Sequence, residues 1–327
     1  MTGDSTDRSQ LTNPMKPKII VVGSSNTDMI LRVEHIPQPG ETILGGRFVT
    51  AAGGKGANQA VAAARAGGDV TFVARVGQDG FGTEAIAGFQ RDGISVEHVR
   101  CDRTEASGVA LIFVSCDGEN SIGVASGANA RLSPADVKRA TAVFRQARVL
   151  VTQLETPLET VEAAVELAAR RGVRVILNPA PAKPLPDALL RRVSILTPNE
   201  TEAELLTGVQ VKGDESAAEA ARRLLARGVG TVILTLGARG AWVASSGAAG
   251  RIPGFAVKPV DTTAAGDVFN GALAVALAED VSLFDAVRFA NAAAAVSVTR
   301  LGAQPSAPTR REIERVLRTG GVAGKAG

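Results

Sequence analysis

Residues 261–280 read DTTAAGDVFNGALAVALAED, the most informative stretch of the chain: a turn of small residues leads into a helix with apolar residues at helical spacing. Ala264, Ala265 and Gly266 keep side chains away from the backbone where that helix begins. The first N–H groups of a helix lack intrahelical acceptors and attract anions. Asp267 stands beside this anion site, where a carboxylate is explained most economically as a base for an attacking hydroxyl group. The structural alternative is an ordinary first-turn Asp favoured by the helix dipole.

Apolar strands alternate with helical stretches over most of the remaining sequence. KIIVVG at 18–23 is a continuous apolar run, typical of a strand that is buried on both faces of a parallel sheet. The runs ending in VTQLE, VILNPAP, SILTPNE and VILTLG repeat the pattern between helical segments. The alternation predicts an α/β fold with a mainly parallel central sheet flanked by helices, with ligands outside the carboxyl ends of the strands.

Two segments depart from this pattern. Residues 28–50 and 107–126 alternate polar and apolar residues, which is typical of strands with one exposed face, and a DGEN turn in the second segment predicts a hairpin. We group them as a β lid, built from about 27–52 and 104–126. The lid belongs to a single domain spanning 18–318, with flexible tails at 1–17 and 319–327.

Composition narrows the class of protein. The 327 residues are 45% hydrophobic, enough to bury one large core. Lys and Arg total 36 against 33 acidic residues, and aromatic residues make up only 3%, so a nucleic-acid partner is not suggested. We predict a cytoplasmic protein, because there is no signal peptide or membrane span and the two cysteines are too few for a disulfide framework.

A glycine-rich motif, AAGGKGANQA at 51–60, precedes an Ala-rich helix. Gly54 and its neighbouring glycines let the backbone approach a ligand closely, and leave Lys55 and Asn58 free to form hydrogen bonds. A tight turn with close helix packing is the alternative. The motif is not a Walker loop, since GxxxxGK[ST] is absent from the sequence, and a P-loop kinase or GTPase is therefore disfavoured.

Further polar residues follow the predicted strands. Asn26 and Asp28 could bind vicinal hydroxyl groups, since a carboxylate accepts two hydrogen bonds and an amide both donates and accepts, although a plain Asx turn is a rival interpretation. Glu155 lies at another strand end. Asn199 and Glu202 could hold water around Mg²⁺ or form only a capping box.

Thr235 and Gly237 follow the last of these predicted strands. They could contact a nucleotide phosphate or form only a hairpin turn.

Taken together and in order, these strings resemble the ribokinase-like carbohydrate kinase family. VVGSSNTDMILRVEHIPQPGET, GGKGANQAVAAARAGG, QLETPLE, ILNPAPA, TPNETEAELLTG, DTTAAGDVFNGALA and AAAAVSVTRLGAQPSAPTR carry the resemblance, which covers nearly the whole chain. It implies a three-layer α/β/α fold and transfer of the ATP γ-phosphoryl group to the 5-hydroxyl of D-ribose.

The resemblance also implies roles for individual residues. Asp267 corresponds to the catalytic base, and Ala264, Ala265 and Gly266 to the anion hole. The family's sugar-binding positions correspond to Asn26, Asp28, Gly54, Lys55, Asn58, Glu155 and Asp267. Those linked to magnesium or the nucleotide correspond to Asn199, Glu202, Thr235, Gly237, Gly266 and Asn291. Those of a monovalent cation, usually K⁺, correspond to Asp261, Thr263, Ser297, Arg300, Gly302 and Ser306.

Partners and alternatives follow from the same resemblance. It implies a homodimer through the exposed face of the lid. A kinase for another sugar, such as deoxyribose or fructose, or for a nucleoside, stays open as an alternative. So does a non-catalytic sugar sensor on the same fold, although such a binder has no need of a base at Asp267.

Overall fold

The computed structural model describes residues 16–322, which form one large sheet between two helical layers and one smaller sheet. The strands are β1 (Lys18–Val22), β2 (Asn26–Arg32), β3 (Arg47–Gly53), β4 (Asp69–Gly77), β5 (Val99–Asp102), β6 (Gly108–Val114), β7 (Asn120–Ala125), β8 (Val149–Thr152), β9 (Arg174–Leu177), β10 (Ile195–Leu196), β11 (Thr231–Thr235), β12 (Ala241–Ser245) and β13 (Ala249–Ile252). The helices are α1 (Lys55–Arg65), α2 (Gly80–Arg91), α3 (Pro134–Arg139), α4 (Thr141–Phe144), α5 (Leu158–Ala169), α6 (Asp187–Leu190), α7 (Glu200–Thr207), α8 (Asp214–Ala226), α9 (Ala265–Ala278), α10 (Leu283–Ser297) and α11 (Arg310–Thr319).

The large sheet has the order β13-β12-β11-β10-β9-β8-β1-β4-β5. Its strands from β11 to β5 pair in parallel, and β12 pairs antiparallel with both β11 and β13, so β12 alone runs opposite to the rest. On β1, Ile19 and Val21 pack in the core shared with α1, α9 and α10, whereas Ile20 and Val22 face the core shared with α5 and α8. A strand buried on both faces is thus apolar throughout. The predicted α/β/α architecture is confirmed.

The small sheet has the order β3-β2-β6-β7 and corresponds to the predicted lid. Only three residues separate β1 in the large sheet from β2 in the small one. Asn129 lies in a short 3₁₀ helix that follows β7 and bonds to this connection. Its Oδ1 accepts the N–H of Ser25 at 2.8 Å, and its Nδ2 donates to Oδ1 of Asn26 at 2.7 Å. One side chain therefore links two of the four chain connections between the sheets, the one from β1 to β2 and the one that follows β7.

Parts of the predicted tails lie outside the described residues, namely 1–15 and 323–327. Within the described part, the carbonyl of Pro17 accepts the N–H of Asp69, and Thr319 is the last residue of α11. The domain limits of 18–318 stay predictions. Among residues 16–322, no helix is both long and apolar enough to cross a membrane.

Helices α1 and α9 pack against each other at Gly271. A Cβ at this position would lie 2.6 Å from the carbonyl oxygen of Gln59 and 2.7 Å from the Cβ of Ala62, both on α1. Because backbone and a Cβ cannot move aside as a flexible side chain can, the two helices approach this closely only with glycine here.

We predict that Gly271→Ala lowers the free energy of unfolding by about 1–3 kcal/mol, because the added methyl group overpacks this contact. Gly88, in the middle of α2, is the matched control: an added Cβ would meet only the Arg91 guanidinium, at 3.7 Å. Gly88→Ala should leave stability unchanged or raise it by up to about 1 kcal/mol, through the better helix propensity of Ala. Urea unfolding measures both variants, and equal stability of Gly271→Ala and wild type would contradict the packing argument.

Candidate active site

The polar residues predicted from the sequence collect at one edge of the large sheet. Parallel strands β1, β8, β9, β10 and β11 all end at this edge, and α1 and α9 begin there. It is the edge where open parallel sheets bind ligands.

The start of α1 is held by side chains from two strand ends. Gly54 has φ +88°, and a Cβ there would lie 2.6 Å from the backbone nitrogen of Asn26. One carboxylate oxygen of Glu155 accepts both the Lys55 N–H at 3.0 Å and the Ser24 hydroxyl at 2.6 Å. Glu155 thus caps the helix with Oε2, and Oε1 accepts no hydrogen bond from residues 16–322.

Asp267 lies in the first turn of α9 and is only 6% exposed. Its Oδ2 accepts from Nδ2 of Asn58 at 3.0 Å, and its Oδ1 accepts from Nε2 of Gln59 at 2.9 Å. Burial raises the pKa of Asp267 above its ordinary value, while Lys55 and the two amides oppose this effect. A buried carboxylate with raised proton affinity is suited to act as a general base.

Lys55 supplies the positive charge of the site. Burial works to lower the pKa of its ammonium group, but the attraction of Asp267, Glu155, Glu202 and Asp28 outweighs burial and raises it. Four carboxylates therefore surround one ammonium group, and the site keeps an excess of hydrogen-bond acceptors.

Asp28 extends from β2 over Gly53 on β3, where an added Cβ would lie only 2.3 Å from the Asp28 carboxylate oxygens. Burial, followed by repulsion from Glu155 and Asp267, raises the pKa of Asp28 to about 6. Its carboxylate accepts no side-chain hydrogen bond within residues 16–322. The Asx turn that was the rival interpretation is not formed, because Asn26 and Asp28 lie within a regular strand.

Asn58 has a buried Oδ1 atom that accepts no hydrogen bond from the part of the chain that the structure describes. With Asp28 and Oε1 of Glu155, it makes a group of free acceptors close to Asp267. Buried acceptors are costly when unpaired, so this cluster fits a ligand that donates several hydroxyl groups.

The predicted anion site lies at the start of α9. Ala264 adopts a left-handed conformation with φ +58° as the N-cap, so the chain turns sharply into the helix. An added Cβ at Gly266 would meet nothing within 4 Å, and within residues 16–322 the N–H groups of Ala264 and Gly266 donate to no acceptor, whereas that of Ala265 donates to the carbonyl of Thr262 at 3.3 Å. The turn can receive a phosphate group beside the carboxylate of Asp267.

The Asn199 and Glu202 side chains form the reciprocal capping box that was the alternative interpretation. Glu202 Oε2 accepts the Asn199 N–H at 2.8 Å, and Asn199 Oδ1 accepts the Glu202 N–H at 2.8 Å. Burial raises the pKa of Glu202. Thr235 pairs with Asn199 in an isolated parallel bridge, and Gly237 begins the turn between antiparallel β11 and β12. Capping and hairpin geometry therefore bring these positions to the edge that carries Lys55.

Two predicted positions are held by other partners. The Asn291 amide donates to the carbonyls of Ile252 and Pro253 at 3.3 and 3.2 Å, which directs it towards the end of β13. The Arg300 guanidinium pairs with Glu312. The backbone carbonyl of Arg300 is therefore the group left for the cation role that the resemblance implies.

The other predicted cation positions are partly brought together. Asp261 accepts the N–H of Thr263 and the N–H of Gly302, both at 2.9 Å, so it joins the anion turn to the segment after α10. The carbonyl of Ser297 accepts the Arg300 N–H, and the Ser306 hydroxyl donates to Ala303. Burial works against ionisation of Asp261, but hydrogen bonds from Thr263 and Gly302 lower its pKa.

Sequence reasoning missed four polar residues that the structure places behind the site. Gln59, Gln153, Asn178 and Asn129 are all buried and hydrogen-bonded to site residues or to one another. Gln153 and Asn178 follow directly after β8 and β9, the kind of position that drew attention to Glu155. The rule that polar residues at parallel strand ends are functional candidates would have found both.

Comparison with known proteins agrees with this geometry. The pfkB family carbohydrate kinase profile matches residues 16–310. A ribokinase of Haemophilus influenzae is 48% identical over 298 residues, which cover 91% of this chain and 97% of that protein. A deoxyribokinase of Salmonella typhimurium is 38% identical over 300 residues, covering 91% and 98%. The structure of Arabidopsis thaliana ribokinase complexed with ribose and ATP superposes with a TM-score of 0.86 at 35% identity, covering 93% and 99%. The chain belongs to the pfkB family of carbohydrate kinases.

We predict that Asp28→Asn stabilises the unliganded protein at pH 8 by about 1–3 kcal/mol. The pKa of Asp28 is about 6 in the folded protein against an ordinary value of 3.8. The folded state therefore binds the proton more tightly, and stability from this group is complete below pH 4 and lost as the pH rises through 6. The gain in the variant should vanish near pH 4, which urea unfolding at pH 4, 6 and 8 would measure.

Asp79 provides a comparison of opposite sign. Burial works to raise the pKa of Asp79, but hydrogen bonds from Ser107 and Gly82 outweigh it and lower the pKa. The free energy of unfolding of Asp79→Asn should therefore be lower than that of the wild type above pH 4. The account of Asp28 fails if its replacement destabilises the protein at pH 8 as the replacement of Asp79 does.

Proposed function

We propose that this protein transfers the γ-phosphoryl group of ATP to O5 of D-ribose, with Asp267 as the general base. The observation that carries the proposal is the position of Asp267: it lies in the first turn of α9, beside a cluster of unpaired acceptors and next to the helix start where the N–H groups of Ala264 and Gly266 have no acceptor within residues 16–322. A hydroxyl bound by the acceptors and a phosphate bound by the helix start would meet at this carboxylate.

The chemical step follows from these positions. The Asp267 carboxylate takes the proton of the sugar hydroxyl, and the freed oxygen electron pair forms a bond to the γ-phosphorus. The bond from that phosphorus to the β–γ bridging oxygen breaks, and its electron pair leaves with ADP. Backbone N–H groups of the Ala264–Gly266 turn stabilise the negative charge on the transferring phosphoryl oxygens.

Sugar binding uses the remaining residues of the cluster. Asp28, Asn58 and Glu155 would accept hydrogen bonds from ribose hydroxyls. Asn26 has its Oδ1 occupied by Asn129, so its amide nitrogen is the group left to donate. Lys55, attracted by Asp267 and Glu155, balances their charge as the two substrates come together.

Two metal ions belong to the proposal. Mg²⁺ would supply positive charge to the ATP phosphates, and Glu202 with Asn199, close to Lys55, would hold its water shell. A monovalent cation, K⁺ in the family, would lie near Asp261 and the backbone of Thr263, Ser297, Arg300, Gly302 and Ser306. Asp261 already fixes the two segments that carry these carbonyls.

The rate of ribose phosphorylation should fall to background when EDTA removes Mg²⁺, and it should decrease when Li⁺ replaces K⁺. Equal rates with Li⁺ and K⁺ would contradict the proposed monovalent-cation site.

The choice of sugar needs a direct test, because relatives named ribokinase and deoxyribokinase both match over nine-tenths of the chain. Buried acceptors left without a hydroxyl would each cost about 1–3 kcal/mol, which favours ribose. A coupled ADP-release assay with ATP, Mg²⁺ and K⁺ should give the highest kcat/KM with D-ribose among ribose, 2-deoxyribose, fructose and adenosine. Equal turnover of 2-deoxyribose would reassign the pocket, and no turnover of any acceptor would favour a sugar sensor.

Asp267→Asn tests the assigned base in the same assay. We expect kcat to fall by about 10²- to 10⁴-fold with ribose binding retained, because the change removes the proton acceptor from a site of nearly unchanged shape. Calorimetric titration with ribose checks that binding survives. Turnover close to that of the wild type would refute the assignment.

The lid also supports a proposed homodimer. Strand register places Val49, Ile122 and Val124 on the same lid face as Asp28, and they are 39%, 56% and 54% exposed. An apolar sheet face of this kind is stabilised by packing on a second copy of itself, which would also shield the sugar site.

Ile122→Glu should therefore give a monomer in sedimentation velocity, because it puts a charge into the proposed interface. Leu111→Glu is the matched control, since Leu111 is 53% exposed but points to the opposite face of the lid. A monomeric wild type, or equal effects of both variants, would contradict the dimer.

We also propose that the enzyme works in the cytoplasm. Cys101 and Cys116 are both free and exposed, and exposed thiols persist where the surroundings are reducing. Recovery of the native protein from a periplasmic or secreted fraction would contradict this placement.

A further inference from the structure

A chain of buried amide side chains ends on Asp267. Nδ2 of Asn178 donates to the carbonyl of Thr197 at 3.2 Å, and Oδ1 of Asn178 accepts from Nε2 of Gln59 at 3.1 Å. The same nitrogen of Gln59 donates to Oδ1 of Asp267 at 2.9 Å. Nε2 of Gln153 donates to Oε1 of Gln59 at 2.6 Å. Gln59 thereby uses both amide hydrogens and its oxygen.

The direction of this chain is fixed at its far end. A backbone carbonyl can only accept, so Thr197 forces the Asn178 amide to turn its nitrogen towards it. The Asn178 oxygen must then face Gln59, and Gln59 donates to it through Nε2. If the Gln59 amide were reversed, its oxygen would face two other oxygens, one of them charged. The protein therefore admits one orientation of Gln59, the one that donates to Asp267.

Burial separates Gln59 from any ligand. Its side chain is 0% exposed, and those of Gln153 and Asn178 are 1% and 7% exposed. Gln59 therefore acts through Asp267 and does not contact a substrate. Asn58, the neighbouring residue on α1, donates to the other carboxylate oxygen, so the two amides together define the plane of the Asp267 carboxylate.

We propose that Gln59, oriented by Gln153 and Asn178, is a positioning residue that holds the Asp267 carboxylate in the plane and the ionised state needed to accept the sugar hydroxyl proton. The inference rests on the proposed kinase function and deepens it. Each carboxylate oxygen takes one hydrogen bond from an amide and keeps a lone pair for the incoming proton.

Charged groups around Asp267 both favour and oppose its ionisation, so the hydrogen bond from Gln59 affects its pKa. Lys55 favours its ionised form, whereas Glu155 opposes ionisation, and Asp28 and Glu202 add negative charge nearby. A donor that bonds the charged form lowers a carboxyl pKa, so its loss should raise the pKa of Asp267 further.

The decisive variant is Gln59→Met, which keeps the volume and removes the donor. We expect kcat for ribose phosphorylation to fall about 10- to 100-fold, with KM for ribose and ATP within about twofold of the wild type. The acid limb of the kcat–pH profile should move to higher pH by about one unit. Gln153→Met, which removes one of the two amides that orient Gln59 and leaves Asn178 in place, should cause smaller changes in the same direction.

Thr160→Val controls for a purely structural effect. Thr160 is also 0% exposed and loses one buried hydrogen bond, to the carbonyl of Leu132 at 2.7 Å, in the opposite core. It should lower the melting temperature without moving the kcat–pH profile. If Gln59→Met is too unstable to assay, Gln153→Met carries the test.

The outcomes are separable. Wild-type kcat and an unmoved acid limb in Gln59→Met or, if that variant cannot be assayed, in Gln153→Met would overturn the inference while the proposed function stands. A shift of the same size in Thr160→Val would overturn it as well. Absence of ribose phosphorylation by the wild-type enzyme would overturn the proposed function and this inference with it.

Discussion

The rest of the structure depends on one constraint, the burial of a carboxylate at the start of α9. Asp267 is only 6% exposed, and an unpaired charge at such a position would be strongly unfavourable. Its compensation comes from one turn of one neighbouring helix, in which Lys55, Asn58 and Gln59 supply an ammonium group and two amide donors. The placement of α1 against α9 therefore determines whether the site exists.

Glycines allow α1 to lie close both to α9 and to the end of β1. Gly271 lets α9 approach α1, and Gly56 lets the start of α1 lie against the β1 end, since an added Cβ there would be 2.5 Å from the nitrogen of Ser24. At Gly23, a Cβ would lie 2.1 Å from Oε1 of Gln153, the residue that orients Gln59. Close backbone packing at these glycines therefore fixes Gln153, which orients Gln59, and Gln59 in turn holds the Asp267 carboxylate. The residues that pack the core thus also position the candidate catalytic base.

Much of the fold could be predicted from the sequence. The apolar strand KIIVV and the later strand–helix alternation predicted the parallel sheet, and the alternating segments predicted a second sheet, because the periodicity of apolar residues indicates which faces of a strand are buried.

Asp267 could be singled out for the same kind of reason, since a helix start beside small residues is a local signal in the sequence. The role of Glu155 as the cap of α1 was not foreseen, because its partners Ser24 and Lys55 are 131 and 100 residues away in sequence. Gln59 was missed for a related reason, because a buried Gln inside a helix has no local signature, whereas Gln153 and Asn178 could have been found from their positions at the ends of β8 and β9. Asn291, assigned to the nucleotide site by resemblance, donates its amide to the carbonyls of Ile252 and Pro253 at the end of β13, and its nucleotide role stays a prediction.

The central claim is that sugar and phosphate meet at Asp267. A crystal structure with D-ribose and a non-hydrolysable ATP analogue tests it most directly. The account predicts O5 of ribose within hydrogen-bond distance of the Asp267 carboxylate, with the terminal phosphate over the N–H groups of residues 264–266. Ribose bound with O5 turned away from Asp267, or a terminal phosphate held elsewhere than at the start of α9, would contradict it.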